Sequence, residues 1–120
     1  MKIEFINYPK CSTCQKAKKF LEENEVKFDD RNIITDTPTK KEIKLWAESS
    51  EIPLNKFFNT SGMLYRSMNL KESLKEFSDE DKIKMLTSDG MLVKRPILVV
   101  DGNVLLGFKE EQWKELLKIK

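Results

Sequence analysis

Cys11 and Cys14 are the residues in this chain best suited to chemistry, because a cysteine can ionise to a nucleophile. They stand within Tyr8-Pro9-Lys10-Cys11-Ser12-Thr13-Cys14-Gln15-Lys16-Ala17. A short apolar run, Ile3 to Ile6, precedes them with strand-like alternation. Cys14, Ala17, Phe20 and Leu21 then follow with the spacing of one helical face. The pair is therefore expected where a strand turns into a helix. Backbone N–H groups in the first turn of a helix have no intrahelical partner, and the macrodipole places partial positive charge there. Both favour thiolate over thiol, and Lys10 adds positive charge beside Cys11. Thiolate is the form that attacks disulfides and electrophilic oxyanions.

Other uses of two cysteines have to be weighed. A structural zinc site needs four ligands, usually Cys or His, and this chain has no third cysteine and no histidine. Simple packing is the plain alternative, since free cysteine is a common core residue. No motif requires a bound cofactor. The chain has 120 residues, which fits one domain over the whole length. Hydrophobic residues make up 39% and charged ones 35%, the balance of a globular protein rather than a disordered one. A net charge of +2, with lysines and acids interspersed, gives no basic face for direct nucleic-acid binding. No apolar run approaches the roughly 18 residues of a membrane span, and no signal-peptide pattern opens the chain. The expected compartment is the cytoplasm. Thiols there are kept reduced, which favours a catalytic or redox-sensing pair over a structural disulfide.

The elements that must position the pair can be read in order. A first strand covers about Lys2 to Asn7, and the first helix runs from Ser12 to Glu23. Val26 to Ile34 contains a second strand, with Val26, Phe28, Ile33 and Ile34 as its apolar positions. The polar insert Asp29-Asp30-Arg31-Asn32 makes it short or an edge strand. A helical block follows, inserted over about 39–87. Thr39 and Glu42 form a capping-box pattern ahead of Ile43, Trp46 and Ala47. Leu54 to Phe58 reads as one helical turn. Asn69 can cap Leu70 to Phe77, and Ser78 can cap Asp79 to Thr87. Ile97 to Val100 reads as a buried strand opened by Pro96. Asp101-Gly102 signals a two-residue type I′ hairpin, with Val104 to Leu106 as the return strand. A last helix spans Lys109 to Lys118.

This order is β-α-β, a helical block, then β-β-α. With a cysteine pair at the first strand-to-helix turn, it resembles the thioredoxin-like α/β fold, which implies a four-stranded mixed sheet. In that fold the residue opening the hairpin is often a cis-proline facing the cysteines, and Pro96 is in the matching place. Three stretches sharpen the resemblance. They are Tyr8 to Cys14, the Phe57-Phe58-Asn59-Thr60-Ser61-Gly62 turn with Tyr65-Arg66, and Lys94-Arg95-Pro96-Ile97. Together they resemble the glutaredoxin-linked arsenate reductase family, which also includes the Spx transcription regulators. The resemblance spans essentially the whole chain, and is closest to the small uncharacterised arsenate-reductase-like proteins of Gram-positive bacteria.

The resemblance implies roles for particular residues. Cys11 matches the nucleophile. Arg66 and Arg95 match two arginines that cradle the oxyanion, a task suited to bidentate guanidinium groups. Ser12 and Thr13 would offer backbone N–H groups to the same anion. Lys10 and Pro96 complete the expected binding set. The sequence departs from the reductases in two places. Gly107-Phe108 stands where they carry a third arginine, and Cys14 stands where they usually carry serine. Both departures lean toward the Spx side. The expected function is thiol–disulfide oxidoreduction, with Cys11 attacking and Cys14 resolving, and with arsenate as one candidate substrate. Thioredoxin, glutaredoxin or glutathione would supply the electrons. The alternative is a Spx-like redox-sensing regulator that docks on the RNA polymerase α subunit. A third reading is a family member that keeps the fold without the activity.

Overall fold

A computed structural model describes residues 1–119. In chain order the elements are β1 (Ile3–Asn7), α1 (Ser12–Glu23), β2 (Asp29–Asn32), α2 (Lys40–Ser49), a 3₁₀ turn at Leu54–Phe57, α3 (Met63–Ser67), α4 (Leu70–Ser73) and a 3₁₀ turn at Leu74–Glu76. They continue with α5 (Asp79–Ser88), a 3₁₀ turn at Gly90–Leu92, β3 (Ile97–Val100), β4 (Asn103–Leu106) and α6 (Glu110–Leu117). The chain divides into two compact units. One takes Met1–Asn32 and the segment from Arg95 onward; the other is Ile33–Lys94.

The first unit is built on a four-stranded sheet in the order β2-β1-β3-β4. β1 pairs parallel with β2 and antiparallel with β3, and β3 pairs antiparallel with β4, so the sheet is mixed as expected. Register places Ile3 opposite Val100 and Phe5 opposite Leu98. Alternation along each strand then puts these four side chains on one face. That face forms a core with Ala17, Phe20 and Leu21 of α1 and Trp113 and Leu117 of α6. Trp113 sits edge-on to Phe5 and Phe108, with ring centroids 6.1 and 4.8 Å away. Its indole N–H donates to the Gly107 carbonyl at 3.1 Å, so the buried ring leaves no polar atom unpaired. At the hairpin, Asp101 and Gly102 have φ of 49° and 88°, the two positive values that a type I′ turn needs.

The second strand is short and lies at the sheet edge, as expected, but its apolar positions are not those of the ladder. Its ladder residues are the polar Asp29–Asn32, at the sheet edge, and not the apolar residues on either side. Val26 and Phe28 pack against the core from outside the ladder. Polar partners hold the strand instead. Asn7, buried at the end of β1, donates from Nδ2 to Asp30 Oδ1 at 2.7 Å and to the Phe5 carbonyl at 3.2 Å. Arg31 Nη1 pairs with Glu4 Oε2 at 3.2 Å, and Lys18 Nζ with Asp30 Oδ2 at 3.1 Å.

The Ile33–Lys94 unit is mostly helical. Thr39 and Glu42 form the full capping box that starts α2, which buries Ile43 and Trp46 and packs against α5. Ser78 Oγ accepts from the Asp81 N–H at 3.1 Å, and three acids follow in the first turn of α5. Asn69 does not cap as expected. It adopts the left-handed conformation with φ 50°, and its side chain makes no cap hydrogen bond. The reason is α3, a short helix that ends just before it: the Asn69 N–H donates back to the Arg66 carbonyl at 3.0 Å. Asn69 is the joint between two helices, a position asparagine tolerates well. The helix expected over Leu70 to Phe77 accordingly breaks into α4 and a 3₁₀ turn, with Phe77 only half-buried.

Candidate functional site

Cys11 is the N-cap residue of α1, with extended backbone at φ −89° and ψ 123°. Its N–H donates to the Tyr8 carbonyl at 3.0 Å, and its own carbonyl accepts from the Gln15 N–H at 3.0 Å. Gln15 also reaches back, donating from Nε2 to the Pro9 carbonyl at 2.8 Å. The loop from Tyr8 to Cys11 is thus tied to the helix at two points. Cys14 lies one turn on, at 1% exposure, with Ala17, Phe20 and Leu21 on the same buried face. Both cysteines are free thiols, Cys11 half-buried and Cys14 buried.

Their surroundings push the two thiols apart. Burial raises the Cys11 thiol and is the largest single influence. The Cys14 backbone N–H, the Cys14 thiol and the Arg95 guanidinium together outweigh it, so Cys11 ionises below the usual thiol range. Burial also raises Cys14, and a negative Cys11 alongside adds to it. The Tyr8 backbone and Arg95 oppose that rise and lose, so Cys14 is pushed up to about 12. The Cys11 thiol is displaced downward and the Cys14 thiol upward, although they share one helix terminus.

Arg95 brings the positive charge. It precedes Pro96 across a cis peptide bond, as the resemblance implies. Pro96 is buried, and its carbonyl accepts from the Gly107 N–H at 2.8 Å, which fixes the end of the hairpin beside it. Arg95 Cζ lies 5.2 Å from the centre of the Tyr8 ring. Its Nε and Nη1 are fully buried and have no hydrogen-bond partner. Buried donors of this kind are rarely left unmatched, and here they lie on the same guanidinium that faces the cysteines.

The remaining expected residues are placed as follows. Ser12 and Thr13 are the exposed first residues of α1, where helix N–H groups lack intrahelical partners. Lys10 is exposed, and the groups that lower Cys11 are Cys14 and Arg95 rather than this lysine. Arg66 belongs to the other unit; it is exposed on α3 and donates from Nη2 to the Ser61 carbonyl at 2.9 Å. Gly107-Phe108 serves packing: Gly107 turns the chain at φ 76°, and the Phe108 ring lies against Phe20 and Trp113. Among the described residues no three His, Cys, Asp or Glu side chains cluster as a metal site would require. No described helix is long and apolar enough to cross a membrane.

Sequence reasoning gave Tyr8 and Gln15 no role, although both flank the pair. Tyr8 could have been noticed as an aromatic three residues before Cys11. Nothing in the sequence signals that Gln15 folds back onto Pro9.

A four-stranded mixed sheet with a Cys-x-x-Cys at a helix N-cap, and an arginine and cis-proline at the start of β3, defines an α/β class with two free thiols at one helix terminus. Within it, residues 6–116 match the ArsC family model, so the chain belongs to the ArsC family. It is similar to the uncharacterized protein YusI of Bacillus subtilis, 48% identical over 96% of this chain and 98% of that one. Its fold matches the crystal structure of an ArsC family related protein from Bacteroides fragilis, with TM-score 0.91 and 47% identity over 97% and 98% of the two chains. It also matches the crystal structure of a possible arsenate reductase from Streptococcus mutans, with TM-score 0.85 and 40% identity over 93% and 97%. More distant is the global transcriptional regulator Spx 1 of Bacillus cereus, 28% identical over 91% of this chain and 82% of that one.

Proposed function

We propose that the protein is a thiol–disulfide oxidoreductase in which Cys11 is the nucleophile and Cys14 the resolving thiol. The observation that carries this is the placement of two free thiols at one helix N-terminus, Cys11 at the N-cap and Cys14 buried one turn on, with surroundings that displace them in opposite directions. The Cys11 thiolate attacks one sulfur of a substrate disulfide. The substrate S–S bond breaks, one thiolate leaves and takes a proton from water, and a mixed disulfide forms on Cys11. Forming it removes the negative charge that was helping to hold the Cys14 proton. The Cys14 thiol then loses its proton and attacks the Cys11 sulfur. It expels the second thiol of the substrate and closes a Cys11–Cys14 disulfide. Two electrons have passed to the substrate, and an external thiol reductant, such as thioredoxin, glutaredoxin or glutathione, restores them. Ordering is intrinsic to this scheme, because the resolving thiol is least able to ionise while the nucleophile is still charged.

Arsenate is the other candidate substrate. The unpaired Nε and Nη1 of Arg95 suit an oxyanion, and Ser12 and Thr13 are the groups expected to assist. Gly107-Phe108 offers no guanidinium at the remaining position, so disulfide chemistry is the favoured reading. Electrostatic stabilisation of a developing anion is usually the largest catalytic contribution, and this site supplies less of it. The test uses a small disulfide and arsenate as alternative substrates. Cys11→Ser should abolish turnover of both, and Cys14→Ser should accumulate a mixed disulfide seen by mass. Full turnover by Cys11→Ser would overturn the proposal.

A second reading has the similarity to Spx 1 in its favour. In it the same pair is a switch, and a partner reads the oxidation state. Retention of RNA polymerase α subunit on the immobilised protein, compared between reduced and oxidised forms, decides it. No retention in either form rejects the regulator.

A further inference from the structure

Arg95 is held in an unusual way. A guanidinium group normally settles against a carboxylate or backbone carbonyls, which use its five donors. Here Nε and Nη1 are buried and bond to nothing, and none of the ion pairs among the described residues includes Arg95. Apart from the Cys11 sulfur, which it lowers by a hydrogen bond and by its charge, it meets the face of the Tyr8 ring, 5.2 Å from Cζ. The two kinds of support differ in consequence. A carboxylate would fix the guanidinium but cancel much of its field at the sulfur. An aromatic face orients the cation through its quadrupole and adds no net negative charge. Tyr8 is itself fixed in the same loop, since its carbonyl accepts the Cys11 N–H at 3.0 Å. Ring, guanidinium and sulfur therefore share one short piece of backbone.

We infer that Tyr8 is a positioning residue: its ring face holds the Arg95 guanidinium toward Cys11 without neutralising it, and so sets how readily that sulfur reacts. This rests on the reading of Cys11 as the nucleophile. The Tyr8 ring bears on Cys11 by way of Arg95, so its effect must pass through Arg95. It must also follow the ring and not the hydroxyl.

The pH dependence of Cys11 alkylation by iodoacetamide tests this, in the full chain with Cys14 mutated to alanine in every sample. Tyr8→Phe should keep the midpoint of the parent. Tyr8→Leu should raise the midpoint and slow alkylation at neutral pH by roughly two- to tenfold, the range of a partly desolvated cation–π contact. In an Arg95→Leu background, Tyr8→Leu should add no further shift. Should Tyr8→Leu fail to fold, a series of increasingly fluorinated phenylalanines at position 8 keeps the shape and weakens the ring quadrupole, and the midpoint should climb along the series. An unchanged midpoint in Tyr8→Leu or along the series overturns the inference, as does an equal shift with Arg95 absent. A parent midpoint in the ordinary thiol range overturns the reading of Cys11 as nucleophile as well. That outcome is visible before any Tyr8 variant is made.

Discussion

The Cys14 thiol faces the Cys11 sulfur across the first turn of α1, and each biases the other's proton: Cys14 helps to lower the Cys11 thiol, and Cys11 adds to the rise that burial gives Cys14. A single thiol at a helix terminus would gain only the N–H groups and the dipole. The pair gains a donor as well, and it keeps the second sulfur in reserve.

Alkylation of the reduced protein should accordingly be selective. Near neutral pH one equivalent of iodoacetamide should enter, at Cys11, as mapped by peptide mass. Cys14 should resist until strongly alkaline conditions, in keeping with its displacement to about 12. In Cys11→Ser the neighbouring charge is gone, so Cys14 should react at lower pH than in the native protein. Equal labelling of both cysteines at neutral pH would contradict the arrangement.

The same displacements give stability a pH dependence. Cys14 has a folded value raised above the unfolded one, so its contribution is present below the ordinary thiol range. It is lost as pH rises toward about 12. Cys11 has a lowered value, so its contribution is present above its unfolded value and lost as pH falls through its folded one. The stability difference between the reduced native protein and Cys14→Ala should therefore shrink between about pH 8 and pH 11. Melting temperatures of the two across that interval check it, and a constant difference would show that Cys14 is not displaced.

Asn7 offers a second electrostatic test, away from the thiols. Its Nδ2 donates to Asp30 Oδ1 at 2.7 Å from a buried position. Asn7→Asp replaces that donor by an acceptor and sets two carboxylates against each other, so one must hold a proton. The variant should lose stability at neutral pH and recover part of it below the carboxylate range. Asn7→Leu should lose about 1–3 kcal/mol without that pH dependence, having only stranded the acceptors. Urea midpoints at neutral and acid pH distinguish the two. Equal losses for Asn7→Asp at both would refute the pairing.

Gly90 tests close packing in the helical unit. A Cβ there would run into the carbonyl oxygen of Ile33, a backbone atom that cannot swing aside. Gly90→Ala should therefore cost about 3 kcal/mol, the upper end of typical overpacking penalties. Chemical denaturation monitored by Trp46, buried in the same unit, reads the loss; an unshifted midpoint would mean that the backbone relaxes freely.

How far the sequence announced these features depends on what holds each one. The bounds of α1 were legible because a stripe of Cys14, Ala17, Phe20 and Leu21 commits one face to the core. The Thr39–Glu42 box and the Asp101-Gly102 turn were legible because their chemistry is local. The place of β2 at an edge was legible, but its paired residues were not, because they are chosen by the ladder to β1 and by Asn7 and Glu4, partners more than twenty positions away. α3 gave no signal because it is one turn long and buries none of its residues, and missing it made Asn69 look like an ordinary cap. At the site, the closeness of Cys11 and Cys14 at the start of α1 and the cis bond before Pro96 followed from motif and resemblance. The contact of Arg95 with the Tyr8 ring did not, since a ring and a guanidinium eighty-odd positions apart meet only through the β1–β3 pairing.

The clasp from Gln15 to Pro9 bears on how an oxidation event would propagate. Because this corner is stitched to the helix from both sides, closing a bond between the sulfurs should shift side chains and little of the main chain. Amide resonances beyond the loop and first turn should then overlay between the two redox forms. Any molecule that distinguishes those forms would have to touch the corner itself, where a fresh covalent bridge has replaced a negative charge.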